Sequence, residues 1–362
     1  MLIRSLKFES AVVVRCLAAM LGATLLLSCG SSSDSGSSNV PELAYFEATP
    51  QAASFNRIVL IRADGTGRRV LWEEEPTSGL SFSFPLFTPQ GDAFMYYRTD
   101  PGGWELLSVP LSGGLPQPYP SPPGAGAPRW SPTGNYIAWN VNRGDGTNYV
   151  GVTPPGGTTL SVLTPDPIDA RRYVWSPDGT RLAAELITTP GASVDLFLIE
   201  PTGGEPVPFA AFANSTETRP IWSPDGAWIA YHRIDDNDCD SFCGLWVMAP
   251  DGSGNHRVLR SPLLDQPIVW TADSRELFVA RWTGQADGER GFVDIETSGF
   301  RQFPGTGTIS ALQPISPDGR YVIIAGRTTL NEPGVVVTGI DGGSRKQVHP
   351  DSLIGMQPVW RP

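Results

Sequence analysis

WSPDG occurs at residues 175–179 and again at 222–226, 47 residues apart, in a chain with almost no helical periodicity. Such a copy is either a pair of functional carboxylates or a joint of the scaffold written twice. Aligned on the tryptophan, the chain reads PLFTPQGDAFMYY from 85, PRWSPTGNYIAW from 128, YVWSPDGTRLAAE from 173 and PIWSPDGAWIAYH from 220. It continues with IVWTADSRELFVA from 268 and PISPDGRYVIIA from 314, and PVWRP at 358–362 is a last, truncated copy. The aligned position falls at Phe87, Trp130, Trp175, Trp222, Trp270, Ile315 and Trp360, with spacings of 43, 45, 47, 48, 45 and 45. Regular periods of this length mean an array of supersecondary units.

Each unit carries a second landmark. After an alternating strand such as WIAYH comes another strand, a Gly-rich turn and a further strand. Examples are NRIVLIRADGTGRRVL at 56–71, DLFLIEPTGGEPVPF from 195, GLWVMAPDGSGNHRVL from 244 and GVVVTGIDGGSRKQV from 334. Four short strands per unit make a propeller blade. The chain enters with PELAYFEA at 41–48, a second strand, and leaves with QPVWRP at 357–362, a first strand. One blade built from both termini and six complete ones predict an all-β, seven-bladed propeller over 41–362, closed so that no sheet edge is left open.

The turn chemistry decides what WSPDG is for. Ser bonds the backbone ahead, Pro fixes φ, Asp tolerates the third position and Gly takes the left-handed conformation that closes the hairpin. The preceding Trp is a wedge suited to packing between blades. Asp178 and Asp225 recur at a fixed turn position, which reads as architecture and not as catalysis. These repeats resemble the TolB-type propeller family, whose blades carry P-x-W-S-P-D-G-x-x-[IL]-A-[YF] followed by a strand and a D-G-G-like turn. The resemblance is specific in the repeats starting near 128, 173 and 220; Phe87 and Ile315 replace Trp, and WTADS at 270–274 lacks both Pro and Gly.

The N-terminus reads differently. Arg4, Lys7 and Arg15 precede an apolar run over 16–27 and LLSC at 26–29, the pattern of a secretory signal too short to span a bilayer comfortably. Cys29 makes it resemble a bacterial lipobox, which implies cleavage after residue 28 and lipidation of Cys29. Residues 29–40 then form the lipidated cysteine and a Gly/Ser-rich tether. Gly30 beside Cys29 implies sorting to the outer membrane, facing the periplasm. Without residues 1–28 the chain has 23 basic and 36 acidic residues, a net charge of −13, which argues against nucleic acid or an anionic membrane surface as partner. Cys239 and Cys243 remain, and export lets them pair.

Catalytic signatures are scarce. The three histidines, His232, His256 and His349, fall in unrelated contexts without HxH or HExxH spacing, and neither G-x-S-x-G nor a Walker-type glycine loop occurs. The loop RIDDNDCDSFCG at 233–244 alternates Asp236, Asp238 and Asp240 as calcium loops do, so calcium is the candidate cation, although Ser241 and Val247 stand where an EF-hand needs Gly and Glu. Loops after second and fourth strands lie around one mouth of the central channel, and they hold the irregular sequence, which is where function concentrates. Just ahead of the inner strands stand Arg171, Arg172, Glu217, Arg219, Asp265, Gln266, Gln313 and Gln357, a predicted ring at that mouth. Arginine forks suit carboxylate or sulfate groups. The expectation is a monomeric, non-catalytic binding scaffold that needs no cofactor, holding an envelope protein or polymer such as an acidic glycan. The alternative is a propeller glycan hydrolase or lyase with its active site at the same mouth.

Overall fold

The computed structural model describes residues 40–49, 52, 55–260, 266–281, 289–303, 315–325, 335–343, 346–349 and 358–362. They form seven antiparallel sheets arranged as the blades of a propeller. Blade 1 is composite: Val359–Trp360 pairs with Glu42–Glu47, followed by Arg57–Arg62 and Arg69–Glu73. Blade 2 runs from the inner strand Ser81–Phe87 through Ala93–Asp100 and Gly103–Pro110 to Gln117–Pro118. Blade 3 begins at Arg129–Trp130, blade 4 at Asp169–Trp175, blade 5 at Ser215–Trp222 and blade 6 at Gln266–Trp270. In blade 7 the inner position is the single bridge Ile315–Val322, beside Tyr321–Ala325, Val335–Gly339 and Lys346–His349. Among the described residues the one helix is the single turn Cys239–Phe242.

The turns behave as their chemistry dictates. In blade 4 the Ser176 hydroxyl donates to Asp178 at 2.6 Å, the Thr180 N–H donates to the same carboxylate at 3.0 Å, and the Arg181 N–H donates to Ser176 Oγ at 2.9 Å. Ser223 and Asp225 repeat the bond at 2.6 Å in blade 5, as do Ser316 and Asp318 in blade 7. In the lapsed repeat of blade 6, Thr271 bonds Asp273 at 2.7 Å, and Ser274 takes φ 60° where the other copies place Gly. The hydroxyl of Ser176 holds the Asp178 carboxyl below its ordinary range. Each of these acids serves its own turn as an acceptor.

The tryptophans join blades. Trp175 donates to Arg129 O of blade 3 at 3.0 Å and stacks on Tyr136, while Trp270 donates to Ile221 O of blade 5 at 3.1 Å. Each blade's alternating strands bury both faces against neighbours, so the core is a ring of clusters between blades.

Candidate ligand site at the channel mouth

Three inner strands are interrupted within a residue of the same step, just ahead of the aligned aromatic. In blade 2, Phe84 and Pro85 together stand opposite Tyr96; in blade 4, Arg171 and Arg172 stand opposite Glu185; in blade 5, Arg219 and Pro220 stand opposite Tyr231. Two residues against one is a β-bulge, which turns side chains out of the ladder. Phe84 and Arg219 reach this geometry with φ 54° and 59°, a left-handed conformation unfavourable for a bulky residue. The side chains of Arg171 and Arg172 are 55% and 56% exposed.

One carboxylate ties the two arginine-bearing strands together. Glu185 Oε1 accepts the Arg219 N–H at 2.7 Å and lies 3.7 Å from Arg172 Nε, while Arg171 Nε lies 3.4 Å from Asp169. Partial burial, followed by the nearby Arg172 charge, lowers the Arg219 pKa. Two guanidiniums thus have Asp169 and Glu185 as their close carboxylates and face solvent, while Arg219 is tied to Glu185 through its backbone N–H. In an acidic chain this concentrates positive charge at one spot.

Behind the mouth lies a buried polar cluster. Glu217 is 0% exposed, accepts the Ser215 hydroxyl at 2.5 Å and the Phe212 N–H at 3.5 Å, and faces Arg233 Nε across 3.6 Å, an ion pair too long for a hydrogen bond. Burial pushes its pKa up to about 7 against the lowering effect of those hydrogen bonds and of Arg233, with the Asp195 carboxylate adding to the rise. Arg233 donates to Asp235 at 3.1 Å and lies 4.3, 5.0 and 5.7 Å from the ring centres of Phe212, Phe242 and Trp246, positions suited to cation–π attraction.

The acidic loop serves this cluster. Its carboxylates point to separate partners: Asp238 caps the helical turn through the Ser241 N–H at 3.0 Å, and Asp240 pairs with Arg260 at 2.6 Å. Among the described residues, no group of three or more His, Cys, Asp or Glu side chains is placed to hold a metal. Cys239 and Cys243 are joined by a disulfide, and the turn between them carries Phe242 onto Arg233.

Of the predicted ring, Arg171, Arg172 and Arg219 come together on adjacent blades. Glu217 does not line the mouth: like Ser215 it falls on the strand face packed inside the molecule, while Thr216 and Thr218 alternate with it on the more open side. Gln266 begins the inner strand of blade 6, paired with Ala280. Asp265, Gln313, Gln357 and the lipidation candidate Cys29 lie outside the described residues. The sequence reading missed Glu185, Arg233 and Phe84. Phe84 had a signal, since FPLF at 84–87 matches RPIW at 219–222 position for position. Two open clefts of about 550 and 510 Å³ lie at the opposite, turn end of blades 4–6, lined by Asp178, Asp225 and Asp273 among others. Those acids are committed to their turns, so the chemistry points to the mouth.

No protein-family model matches the chain, and no curated protein matches it in sequence. Solved structures do. An oligogalacturonate lyase in complex with manganese aligns at TM-score 0.57 and 17% identity over 73% of this chain and 75% of its own. An oligogalacturonate lyase from Vibrio parahaemolyticus aligns at 0.57 and 14%, over 85% and 84%. TolB from Acinetobacter baumannii aligns at 0.50 and 18%, over 89% of this chain and 67% of that one. At these identities the likeness is one of fold: a TolB-like propeller, shared with the lyases.

Proposed function

We propose that the chain is a non-catalytic, lipid-anchored envelope protein whose propeller binds a carboxylate- or sulfate-bearing ligand at the channel mouth, either an acidic glycan or the acidic segment of an envelope protein. The observation that carries this reading is the convergence of Arg171, Arg172 and Arg219 at the bulges of neighbouring inner strands, two of them with exposed side chains. Planar guanidiniums bind oxyanions in a fork, and a rigid strand fixes the fork's direction. The basic start, the apolar run over 16–27 and LLSC at 26–29 support export and lipidation at Cys29, with residues 29–40 as a tether to the outer membrane on its periplasmic side. Binding of this kind needs no cofactor.

A second reading, a propeller enzyme acting on a glycan, is favoured by the Glu217–Asp195 pair, two neighbouring carboxyls whose pKa values are both raised chiefly by burial. Against it, Glu217 has no surface with which to touch a ligand. The test is calorimetry of the protein comprising residues 29–362 with oligogalacturonate and with a sulfated oligosaccharide, alongside the Arg171→Ala/Arg219→Ala variant and chromatography of the recovered sugar. Binding that the double variant loses, with the sugar recovered intact, is the expected result. Shortened or unsaturated sugar would replace the binding reading with the enzymatic one, and binding indifferent to both arginines would move the site elsewhere.

A further inference from the structure

Phe84 stands three residues ahead of Phe87, the step that Arg172 holds ahead of Trp175 and Arg219 ahead of Trp222, and like Arg219 it opens the bulge of its strand. Its φ of 54° and 52% exposure are unusual together. A left-handed backbone is unfavourable for a bulky L residue, and here it leaves about half of the phenyl ring accessible to solvent. Trp104 is also exposed, at 54%, just after the turn that joins the second and third strands of blade 2. That turn belongs to the mouth face, as do the loops around the arginines.

The two rings are organised by a third. Tyr97, 6% exposed, meets Phe84 edge-to-face at 5.8 Å and Trp104 edge-to-face at 5.1 Å, and its hydroxyl donates to Gly126 O of the chain entering blade 3 at 2.9 Å. Tyr97 is buried and held at its hydroxyl, so both half-exposed rings rest against one fixed partner. The platform is connected to the arginines. Tyr97 is bonded to Gly126 of the segment that leads into Arg129, and the Arg129 guanidinium sits 5.6 Å above the ring of Tyr173, the residue after Arg171 and Arg172. Blades 2 to 4 therefore present aromatic faces and guanidiniums along one arc of the mouth.

We propose that Phe84 and Trp104 form a stacking subsite for the sugar rings of an acidic oligosaccharide whose carboxylates engage Arg171 and Arg172. The proposal rests on the binding reading above and narrows its ligand to one class. A uronate unit carries both features this arc would recognise: an apolar C–H face that packs on an aromatic ring, and a carboxylate at the ring's edge for a guanidinium. A flexible acidic peptide needs the cations but makes no demand for two flat rings held at fixed orientation.

The experiment titrates the protein comprising residues 29–362 with an oligogalacturonate, with a neutral gluco-oligosaccharide and with poly-glutamate, following tryptophan fluorescence and heat. Phe84→Ala and Trp104→Ala should each weaken oligogalacturonate binding about tenfold, the loss expected when one stacked ring face is removed. Trp104→Phe, which keeps a ring, should restore most of it. Unchanged melting temperatures show that the variants fold, and Phe84→Ala relieves no buried contact large enough to threaten them. Oligogalacturonate binding that requires Arg171 but ignores Phe84 and Trp104 overturns the platform while leaving the binding reading intact. Binding indifferent to arginines and rings alike overturns both. Poly-glutamate bound as tightly, and lost equally in Phe84→Ala, would make the arc a protein-docking surface and overturn the sugar assignment.

Discussion

Glu217 and His232 sit one step apart in the ladder of blade 5, where Glu217 pairs with Arg233 and Thr218 with His232, and burial drives their protonation in opposite senses. Burial raises Glu217 from 4.5 to about 7 and lowers His232 from 6.5 to about 4, the latter helped by the Arg219 charge. The folded protein holds the Glu217 proton more tightly than the unfolded chain does. Its contribution to stability is therefore fully present below about pH 4.5 and is lost as pH rises through about 7. His232 folds neutral, so its contribution is present above about pH 6.5 and is lost as pH falls toward 4. Between these limits the two slopes oppose, each at most about 1.4 kcal/mol per pH unit, and Asp195, raised by the same burial, acts with Glu217. Glu217→Gln should make the melting temperature fall more steeply from pH 7 to pH 5 than in the unaltered protein. His232→Leu should flatten that fall. Among the described residues neither imidazole nitrogen has a hydrogen-bond partner, so leucine should be at least as stable at pH 7, since it leaves no buried polar atom unsatisfied. Melts at pH 5, 6 and 7 decide the matter, and two unaltered profiles would assign the acid response to other groups.

At the scale of the turn, the four-residue SPDG joint converts a local preference into a blade. Gly179 and Gly226 hold φ 68° and 73°, and replacing either with alanine should cost about 1–2 kcal/mol for the left-handed backbone alone. The two differ in their surroundings. A Cβ on Gly179 would lie 2.9 Å from Thr133 Oγ1, whereas one on Gly226 meets nothing nearer than Pro177 Cδ at 4.0 Å. Gly179→Ala should therefore lose more, measured by denaturant midpoint, and equal losses would show that Thr133 simply moves aside. This local character is why the blades were legible in the sequence: Ser, Pro, Asp and Gly each act within five residues, and repetition exposes the signal. Even WTADS kept its turn, because Ser274 adopts the glycine conformation and its hydroxyl accepts the Asp225 N–H at 3.1 Å. The site was legible only in part. Arg171, Arg172 and Arg219 could be found from their step ahead of the tryptophans. The burial of Glu217 depends on which strand face it takes, and the aromatic box of Arg233 draws Phe212, Phe242 and Trp246 from separate segments. Phe84 could be placed at that step by the match of FPLF to RPIW, but its exposure could not, because it follows from the left-handed φ at the bulge.

For the molecule as a whole, the composite blade decides whether the ring holds. Trp360 pairs with Leu43 and Val359 with Ala44, and the Arg361 N–H donates to Glu42 O at 2.9 Å. The terminal strand seals two interfaces at once. Trp360, 1% exposed, packs among Ile323, Val335 and Val337 of blade 7, while Val359 faces Phe82, Phe94 and Tyr96 of blade 2. The Arg361 guanidinium adds bonds to Glu42 at 3.1 Å and to Gly91 O at 2.9 Å. The Arg361 side chain is 40% exposed, and a surface ion pair contributes about 0–1 kcal/mol. The tryptophan is another matter, since emptying a buried aromatic site costs about 3–5 kcal/mol. Trp360→Ala should therefore lower the melting temperature sharply and Arg361→Ala hardly at all. Deleting 358–362 should exceed Trp360→Ala, because it also unpairs the edge of Glu42–Glu47 and opens the ring between its first and last blades. A deletion that melts with the full chain would mean that blade 1 stands on three strands and that the ring closes without its C-terminal strand.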